Sequence, residues 1–256
     1  MRKGQFLLFL VILFFACFIW AGGSKIINSY LPASTTVKTQ EITNSVSSLW
    51  EKTYRIIALK RAVQTKLPQK NYVKIQDIPL ITQQAIIAVE DNRFYNHPGF
   101  DVEGILRATL VNIQTGQIQE GGSTITQQLV KNLFLSQDRS ISRKIEEFVL
   151  SVDMELRYSK EEILEMYLNT IYFGSGMYGL GNAAEGYFDK PPSKLSLPES
   201  AMLAGLPNAP SLYSPYVDFV AAKQRQAVVL SAMVRGGYIG PGMAEEAKTT
   251  PLQFAR

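Results

Sequence analysis

Apolar residues after about residue 75 recur three or four positions apart, which is the spacing of an amphipathic α-helix. The sequence shows no regular alternation of apolar and polar residues, the pattern typical of β-strands, and no long internal repeat. Helical spacing covers residues 80–90, 102–114, 124–135, 140–157, 160–169, 198–206 and 220–235. The pattern therefore predicts a mostly α fold.

Capping residues support several of these helices. Pro79 is suited to open the first, and Ser123 or Thr124 is suited to begin the helix that follows a Gly-Gly pair. Ser159 precedes Glu162 by three residues, which is the spacing of a capping box.

An uncharged apolar run over residues 6–23 predicts an N-terminal transmembrane helix, since about 20 such residues span a bilayer. Arg2 and Lys3 precede the run, so residues 1–5 are expected in the cytoplasm and the remainder outside it. The alternative is a cleaved signal peptide, but the bulky residues before Ala21 make a poor cleavage site.

The rest of the chain divides by composition into three parts. Residues 24–74 are polar and then basic, which predicts a juxtamembrane segment in contact with anionic headgroups; a solvated surface is the alternative. Residues 75–240 carry the helical pattern and form the predicted globular domain, and residues 241–256 are taken as a C-terminal tail.

Charge and rare residues limit the chemistry. The formal net charge of +4 suits an anionic partner such as phospholipid, pyrophosphate or nucleic acid. Cys17, the only cysteine, lies inside the apolar run, which excludes an intrachain disulfide and a cysteine-based zinc site. His97 is the only histidine, and its position in a Tyr-Asn-His-Pro-Gly turn favours a structural role.

Two clusters could carry catalysis. Glu90 and Asp91 end an apolar helix, where partial loss of water would raise a carboxyl pKa and favour a general base; exposed acids at a helix end are the alternative. Four basic residues fall within 14 positions and could bind a diphosphate: Lys131, Arg139, Arg143 and Lys144. Surface salt bridges, such as Arg143 with Glu147, explain the same spacing equally well.

Four ordered strings resemble the signature motifs of the family 51 peptidoglycan glycosyltransferases, which comprise domains of class A penicillin-binding proteins and monofunctional enzymes. They are EDNRFYNHPG (90–99), GGSTITQQLVKN (121–132), RKIEE (143–147) and KEEILEMYLN (160–169). A fifth region, AMLAGLPNAPSLYSP and the helix after it, is also similar, so the resemblance covers about residues 78–233. The fifth motif departs in two places: Gln226 follows Arg225 where paired arginines are common, and Ser214 replaces a common Asn.

The resemblance implies a lysozyme-like helical core with a smaller membrane-apposed jaw, on the outer face of the bacterial cytoplasmic membrane. It implies polymerisation of lipid II by inverting transfer, with release of undecaprenyl pyrophosphate. Glu90 would be the general base, and Glu147 the second essential carboxylate, orienting the donor site or a divalent ion. The implied substrate-binding set is Asp91, Phe94, His97, Ser123, Thr124, Gln127, Gln128, Lys131, Asn132, Arg139, Arg143 and Lys144.

The resemblance requires no cofactor, although Mg²⁺ or Mn²⁺ is compatible with it, and it implies inhibition by moenomycin. Expected partners are lipid II, nascent lipid-linked glycan, the membrane, a transpeptidase and proteins of the divisome or elongasome. Three alternatives stay open: a lytic enzyme acting on finished glycan, a non-catalytic anchored scaffold, and a nucleic-acid-binding membrane protein, which the absence of a nucleic-acid motif disfavours. Whether the enzyme is monofunctional or part of a class A protein is also open.

Overall fold

The computed structural model describes residues 58–115, 121–136 and 140–255, which belong to one compact unit that begins at Ile56. Within those residues the fold is helical, and the β-structure there is an isolated antiparallel bridge between Tyr172 and Tyr178. The predicted mostly α fold is confirmed for this part of the chain.

The α-helices of the described residues are numbered in chain order. They are α1 Leu59–Lys66, α2 Leu80–Glu90, α3 Val102–Thr115, α4 Ile125–Phe134, α5 Ile141–Arg157, α6 Lys160–Thr170, α7 Leu180–Phe188, α8 Leu197–Gly205, α9 Pro210–Tyr213, α10 Phe219–Arg235 and α11 Pro241–Thr249. Short 3₁₀ turns occur at Ile75–Asp77, Phe94–Asn96 and Pro192–Lys194.

Helix starts agree with the capping signals in the sequence. Thr124, rather than Ser123, is the N-cap of α4, and it forms a capping box with Gln127. Ser159 and Glu162 form the predicted box at the start of α6. Each box satisfies backbone N–H groups that have no partner inside the helix, which fixes where these helices begin.

Three helices were not predicted, and one of them, α9, has only four residues. Helix α7 follows a glycine-rich loop, and its N-cap is Gly179 at φ +81°, so no side chain marks its start. Helix α11 lies in the predicted tail, yet it buries Ala244 and Ala247 against the core and packs on α10.

The core is organised around α8, whose residues from Pro198 to Gly205 are all buried. Helices α2 and α10 pack on α8 and on each other, while α4 packs against α5 and α6. Helix α1 lies in the predicted basic segment and adds Leu59 and Val63 to the core, leaving Lys60 and Arg61 exposed. The packing of α2 and α4 into one core brings the first two sequence motifs together.

The surfaces of α3 and α5 are unusually apolar. Large hydrophobic side chains on these two helices are between 40% and 83% exposed, namely Val102, Ile105, Leu106, Leu110, Ile113, Ile141, Ile145, Phe148, Val149 and Leu156. Contiguous exposed apolar surface of this kind marks an interaction face in soluble proteins.

The predicted transmembrane helix at residues 6–23 lies outside the described residues. Among the helices of residues 58–115, 121–136 and 140–255, none combines the length and apolar character needed to cross a membrane.

Gly99 connects the first motif to α3 and is held in a conformation that other residues rarely adopt. Its φ is +95°, and an added Cβ would lie 2.8 Å from the backbone oxygen of Ser151 in α5. We expect Gly99→Ala to lower the free energy of unfolding by about 1–3 kcal/mol, because it adds backbone strain and a backbone clash. Chemical denaturation measures this change.

Gly242→Ala is the matched control, since a Cβ at Gly242 meets no atom within 4 Å and the φ there is not positive. Its unfolding midpoint should stay the same or rise slightly, because alanine favours a helix. Equal destabilisation by the two substitutions would contradict the assigned role of Gly99.

Candidate functional site

Glu90 is the last residue of α2 and is partly buried. Burial raises the pKa of its carboxyl group above the usual value, and neighbouring groups oppose that rise in part. The opposing groups are a hydrogen bond from Gln128 and the positive charges of Arg225 and Lys131. Glu90 is therefore a desolvated carboxylate within electrostatic reach of two cations, which is the environment of a general base.

The two carboxylate oxygens of Glu90 differ in their contacts. Gln128 Nε2 donates a hydrogen bond of 2.8 Å to Oε2, and Tyr167 Oη donates one of 3.2 Å to Gln128 Oε1. Oε1 of Glu90 is buried and has no hydrogen-bond partner among the described residues. An unpaired buried acceptor is costly, and a hydroxyl donor from a substrate would satisfy it.

Asp91 fastens the first motif to the start of α4. Its carboxylate accepts a hydrogen bond of 3.0 Å from the backbone N–H of Ile125 and contacts His97 Nε2 at 3.0 Å. The backbone N–H of Gly99 donates to His97 Nδ1, so His97 Nε2 carries the hydrogen and donates it to Asp91. This network supports the structural interpretation of His97.

Phe94 belongs to the interior of the same loop. Its side chain is fully buried, and the ammonium group of Lys160 lies 4.5 Å from the ring centroid. Lys160 also donates to the carbonyl oxygen of His97 and pairs with Glu155. The structure thus places Phe94, Asp91 and His97 behind the site, where they shape the loop that follows Glu90.

The second motif supplies both buried and exposed side chains. Thr124 and Gln127 are buried in the capping box, and Thr124 Oγ1 donates to the carbonyl oxygen of Gly99 at 2.7 Å. Ser123 and Asn132 are exposed. Thr124 and Gln127 therefore position the start of α4, whereas Ser123 lies at the surface.

Glu147 is only 2% exposed and sits between two cations of α5. Arg143 Nη1 lies 2.8 Å from Glu147 Oε2, and Lys144 Nζ pairs with Glu147 Oε1. Lys144 Nζ also donates to Ser123 Oγ at 3.3 Å, which links the second and third motifs. The predicted Arg143–Glu147 pair exists, but its carboxylate is buried, so it is not a surface salt bridge.

Positive charge exceeds negative charge in this cluster. Arg143 and Lys144 share one carboxylate, that of Glu147, so these three side chains carry a net charge of +1. Lys131 on α4 lies within electrostatic reach of Glu90. Within the described residues Lys131 forms no ion pair or side-chain hydrogen bond, so its charge is available to an anion. Arg139, the fourth predicted cation, lies outside the described residues.

A metal site is not preassembled in the described part of the chain. No group of three or more His, Cys, Asp or Glu residues comes together there. Both carboxylate oxygens of Glu147, the residue considered for a divalent ion, are already paired with Arg143 and Lys144.

Sequence reasoning gave no role to two residues near Glu90. Arg225 of α10 donates to the carbonyl oxygen of Gly205 and lies over the ring of Tyr213, and its charge lowers the pKa of Glu90. Tyr167 of α6 is fully buried and contacts Glu90 through Gln128. Both residues lie in regions that carry the family resemblance, and that resemblance was the signal in the sequence that could have pointed to them. Both are distant from Glu90 along the chain, so the sequence did not indicate their proximity to it.

The chain matches known proteins over this same region. The family model described as Transglycosylase matches residues 58–234. Penicillin-binding protein 1A of Neisseria flavescens is 46% identical over 73% of this chain and 24% of that protein. Penicillin-binding protein 1A of Aquifex aeolicus is 47% identical over 73% of this chain and 26% of that protein.

A crystal structure of penicillin-binding protein 1A from Haemophilus influenzae matches 72% of this chain and 18% of that chain. The sequence identity is 26% and the TM-score is 0.45. The matched region spans about a quarter of the length of the curated relatives. Because the family model covers more than half of the sequence, the chain belongs to the transglycosylase family, the family 51 peptidoglycan glycosyltransferases that its motifs resemble.

Proposed function

We propose that this protein polymerises lipid II into glycan chains by inverting transfer and releases undecaprenyl pyrophosphate. The observation that carries the proposal is a desolvated carboxylate, Glu90, that has one unpaired oxygen and two cations, Lys131 and Arg225, within electrostatic reach. Membership of the transglycosylase family supports the same reaction class.

In the proposed reaction Glu90 acts as the general base. Its unpaired Oε1 accepts the proton from the 4-hydroxyl of the acceptor sugar, and the sugar oxygen attacks the anomeric carbon of the donor. The bond from that carbon to the diphosphate breaks on the opposite face, which inverts the configuration. A positioned base of this kind contributes about 10²–10⁴-fold to the rate.

The cations would bind the departing diphosphate. Lys131 forms no ion pair with any of the residues that the structure describes, while Arg143 and Lys144 are held in place by Glu147. Arginine and lysine stabilise phosphate oxygens through charge-assisted hydrogen bonds, so no protonated acid is needed for the leaving group. Arg139 joins this proposed set on the strength of the sequence motif.

The arrangement favours transfer from a diphosphate over hydrolysis of finished glycan. A glycosidase needs a second carboxyl group near the scissile bond, either as the acid or as the nucleophile. Asp91, which adjoins Glu90, has its oxygens bonded to His97 and Ile125, and Glu147 is paired with two cations. Neither carboxylate is free to act as that second group.

We also propose that the apolar surfaces of α3 and α5 rest against the membrane and form the jaw beside a lysozyme-like core. Their exposed Ile, Leu and Val side chains suit lipid contact, and the exposed basic residues of α1 suit anionic headgroups. An anchor at residues 6–23 would keep this domain on the outer face of the cytoplasmic membrane, near transpeptidases and proteins of the divisome or elongasome.

The first test replaces the base. Glu90→Gln should lower lipid II polymerisation by about 10²–10⁴-fold while binding of the lipid donor persists, because the amide cannot accept the acceptor's proton. Polymerisation is measured with labelled lipid II and gel separation of the glycan products. Parallel assays with moenomycin and with a divalent chelator test the expected inhibition and the need for a divalent ion. Glu245→Gln, an exposed carboxylate of α11, is the control and should keep full activity. Normal chain synthesis by Glu90→Gln would rule out the proposed role.

The second test uses the cost of burying the Glu90 charge. The pKa of Glu90 is raised in the folded protein, so protonated Glu90 favours the folded state. This contribution to the free energy of unfolding is fully present at low pH and is lost as the pH rises through the folded-state pKa. Glu90→Gln should therefore raise the melting temperature relative to wild type at neutral pH, and the difference should shrink as pH falls below the ordinary glutamate range. A difference independent of pH would contradict the burial of an ionised Glu90.

The third test removes the unpaired cation. Lys131→Met should lower kcat/KM for lipid II by roughly 10- to 150-fold, the loss expected for one hydrogen bond to a charged group. Lys131→Arg should recover part of the activity because it retains the charge. Lys248→Met, at an exposed pair on α11, is the control. An unchanged kcat/KM in Lys131→Met would exclude Lys131 from diphosphate binding.

A further inference from the structure

Tyr167 is a fully buried tyrosine whose hydroxyl group contacts a residue of the site. It lies on α6, its side chain is fully buried in the core, and its hydroxyl reaches Gln128 Oε1 on the neighbouring helix α4 at 3.2 Å. Gln128 in turn donates to Glu90 Oε2 at 2.8 Å. Three helices thus meet through one chain of hydrogen bonds that ends on the carboxylate of Glu90.

The chemistry of the three groups fixes the direction of this chain. An ionised carboxylate only accepts hydrogen bonds, so Gln128 must present its NH₂ group to Glu90 and its oxygen to Tyr167. Burial and the nearby carboxylates of Glu90 and Asp91 raise the pKa of Tyr167 well above its usual value. The hydroxyl therefore keeps its hydrogen throughout the working pH range and can serve as the donor.

We propose that Tyr167 is a positioning residue of the site, which acts by orienting the amide of Gln128 so that its nitrogen faces Glu90. Without the tyrosine hydroxyl, the oxygen of Gln128 loses its donor, so the amide is held at its nitrogen end only and its direction toward Glu90 is less strictly fixed. The oriented amide holds Glu90 by Oε2 and so directs the unpaired Oε1 toward the acceptor hydroxyl. This role rests on the proposed base function of Glu90.

Tyr167→Phe isolates the hydroxyl, because it leaves the buried ring in place. We expect kcat for lipid II polymerisation to fall roughly 2- to 12-fold, the range expected for one neutral hydrogen bond. The acidic limb of the pH–rate profile should also move to higher pH, because the hydrogen bond from Gln128 is a factor that keeps the pKa of Glu90 down.

Other groups facing Glu90 stay unchanged in this variant. They are Asp91 at the end of α2, Lys131 on α4 and Arg225 on α10. On α8, the third helix packed against this region, Glu199 is paired with Lys190 and bonded to Ser196. A shift of the acidic limb can therefore be attributed to the Gln128 contact.

Tyr187→Phe is the matched control. Tyr187 is also fully buried, and its hydroxyl bonds to the carbonyl oxygen of Phe173 and to Ser214, away from the Glu90 contacts. It should lose a similar amount of thermal stability to Tyr167→Phe, yet keep the wild-type pH–rate profile. If the two variants gave the same profile, Tyr167 would have a structural role only.

A double-mutant cycle then tests the route of the effect. In a Gln128→Met background the amide is already gone, so adding Tyr167→Phe should change kcat by less than twofold. Independent, multiplicative losses would overturn the proposal, because they would show that Tyr167 acts other than through Gln128. Failure of the wild-type protein to polymerise lipid II would instead refute the proposed function, so the two failures are distinguishable.

Discussion

The attachment of the first motif to the N-terminal turn of α4 is the constraint on which the site depends. The carboxylate of Asp91 accepts a hydrogen bond from the backbone N–H of Ile125, and the carbonyl oxygen of Gly99 accepts one from the hydroxyl of Thr124. These bonds satisfy groups at a helix start that would otherwise be unpaired in the interior. Because α4 also carries Gln128 and Lys131, and Ser123 directly precedes its N-cap, one junction sets the positions of the base and of Lys131 together.

The same junction explains why so many polar residues are buried without being available to substrate. The side chains of four buried residues form hydrogen bonds with each other and with backbone groups, namely Thr124, Gln127, Asp91 and His97. A loss of activity on their substitution would therefore report on geometry rather than on contact with the sugar. Glu90 differs, since one of its oxygens is buried and unpaired, and a protein optimised only for stability would not retain such a group.

Local signals in the sequence were sufficient for most helices and for the starts of α2, α4 and α6. Ser159 with Glu162 gives a capping box because both partners lie within one turn, so the pattern is visible without knowledge of the fold. Helix α7 escaped prediction because Gly179 supplies a backbone conformation and no recognisable capping side chain. Helix α11 escaped because its small buried residues, Ala244 and Ala247, give only a weak apolar pattern.

The site was predicted less completely, because its decisive contacts join distant parts of the chain. The pairing of Arg143 with Glu147 follows from helical spacing, but the burial of Glu147 depends on how the helices pack. The contact of Tyr167 with Gln128 joins residues 39 positions apart, and no periodicity indicates it. Thr124 and Gln127 were grouped with substrate-binding residues by their motif, whereas their side chains form the cap of α4.

The position of Glu147 between Arg143 and Lys144 has a consequence for turnover in the proposed reaction. A polymerising enzyme must let go of its anionic by-product after every round, and a pocket of bare cations would retain it. In that reaction Glu147, which is paired with both cations, would compete with the by-product for their hydrogen bonds and weaken its retention. The buried carboxylate would thus be a built-in counterion that limits product inhibition.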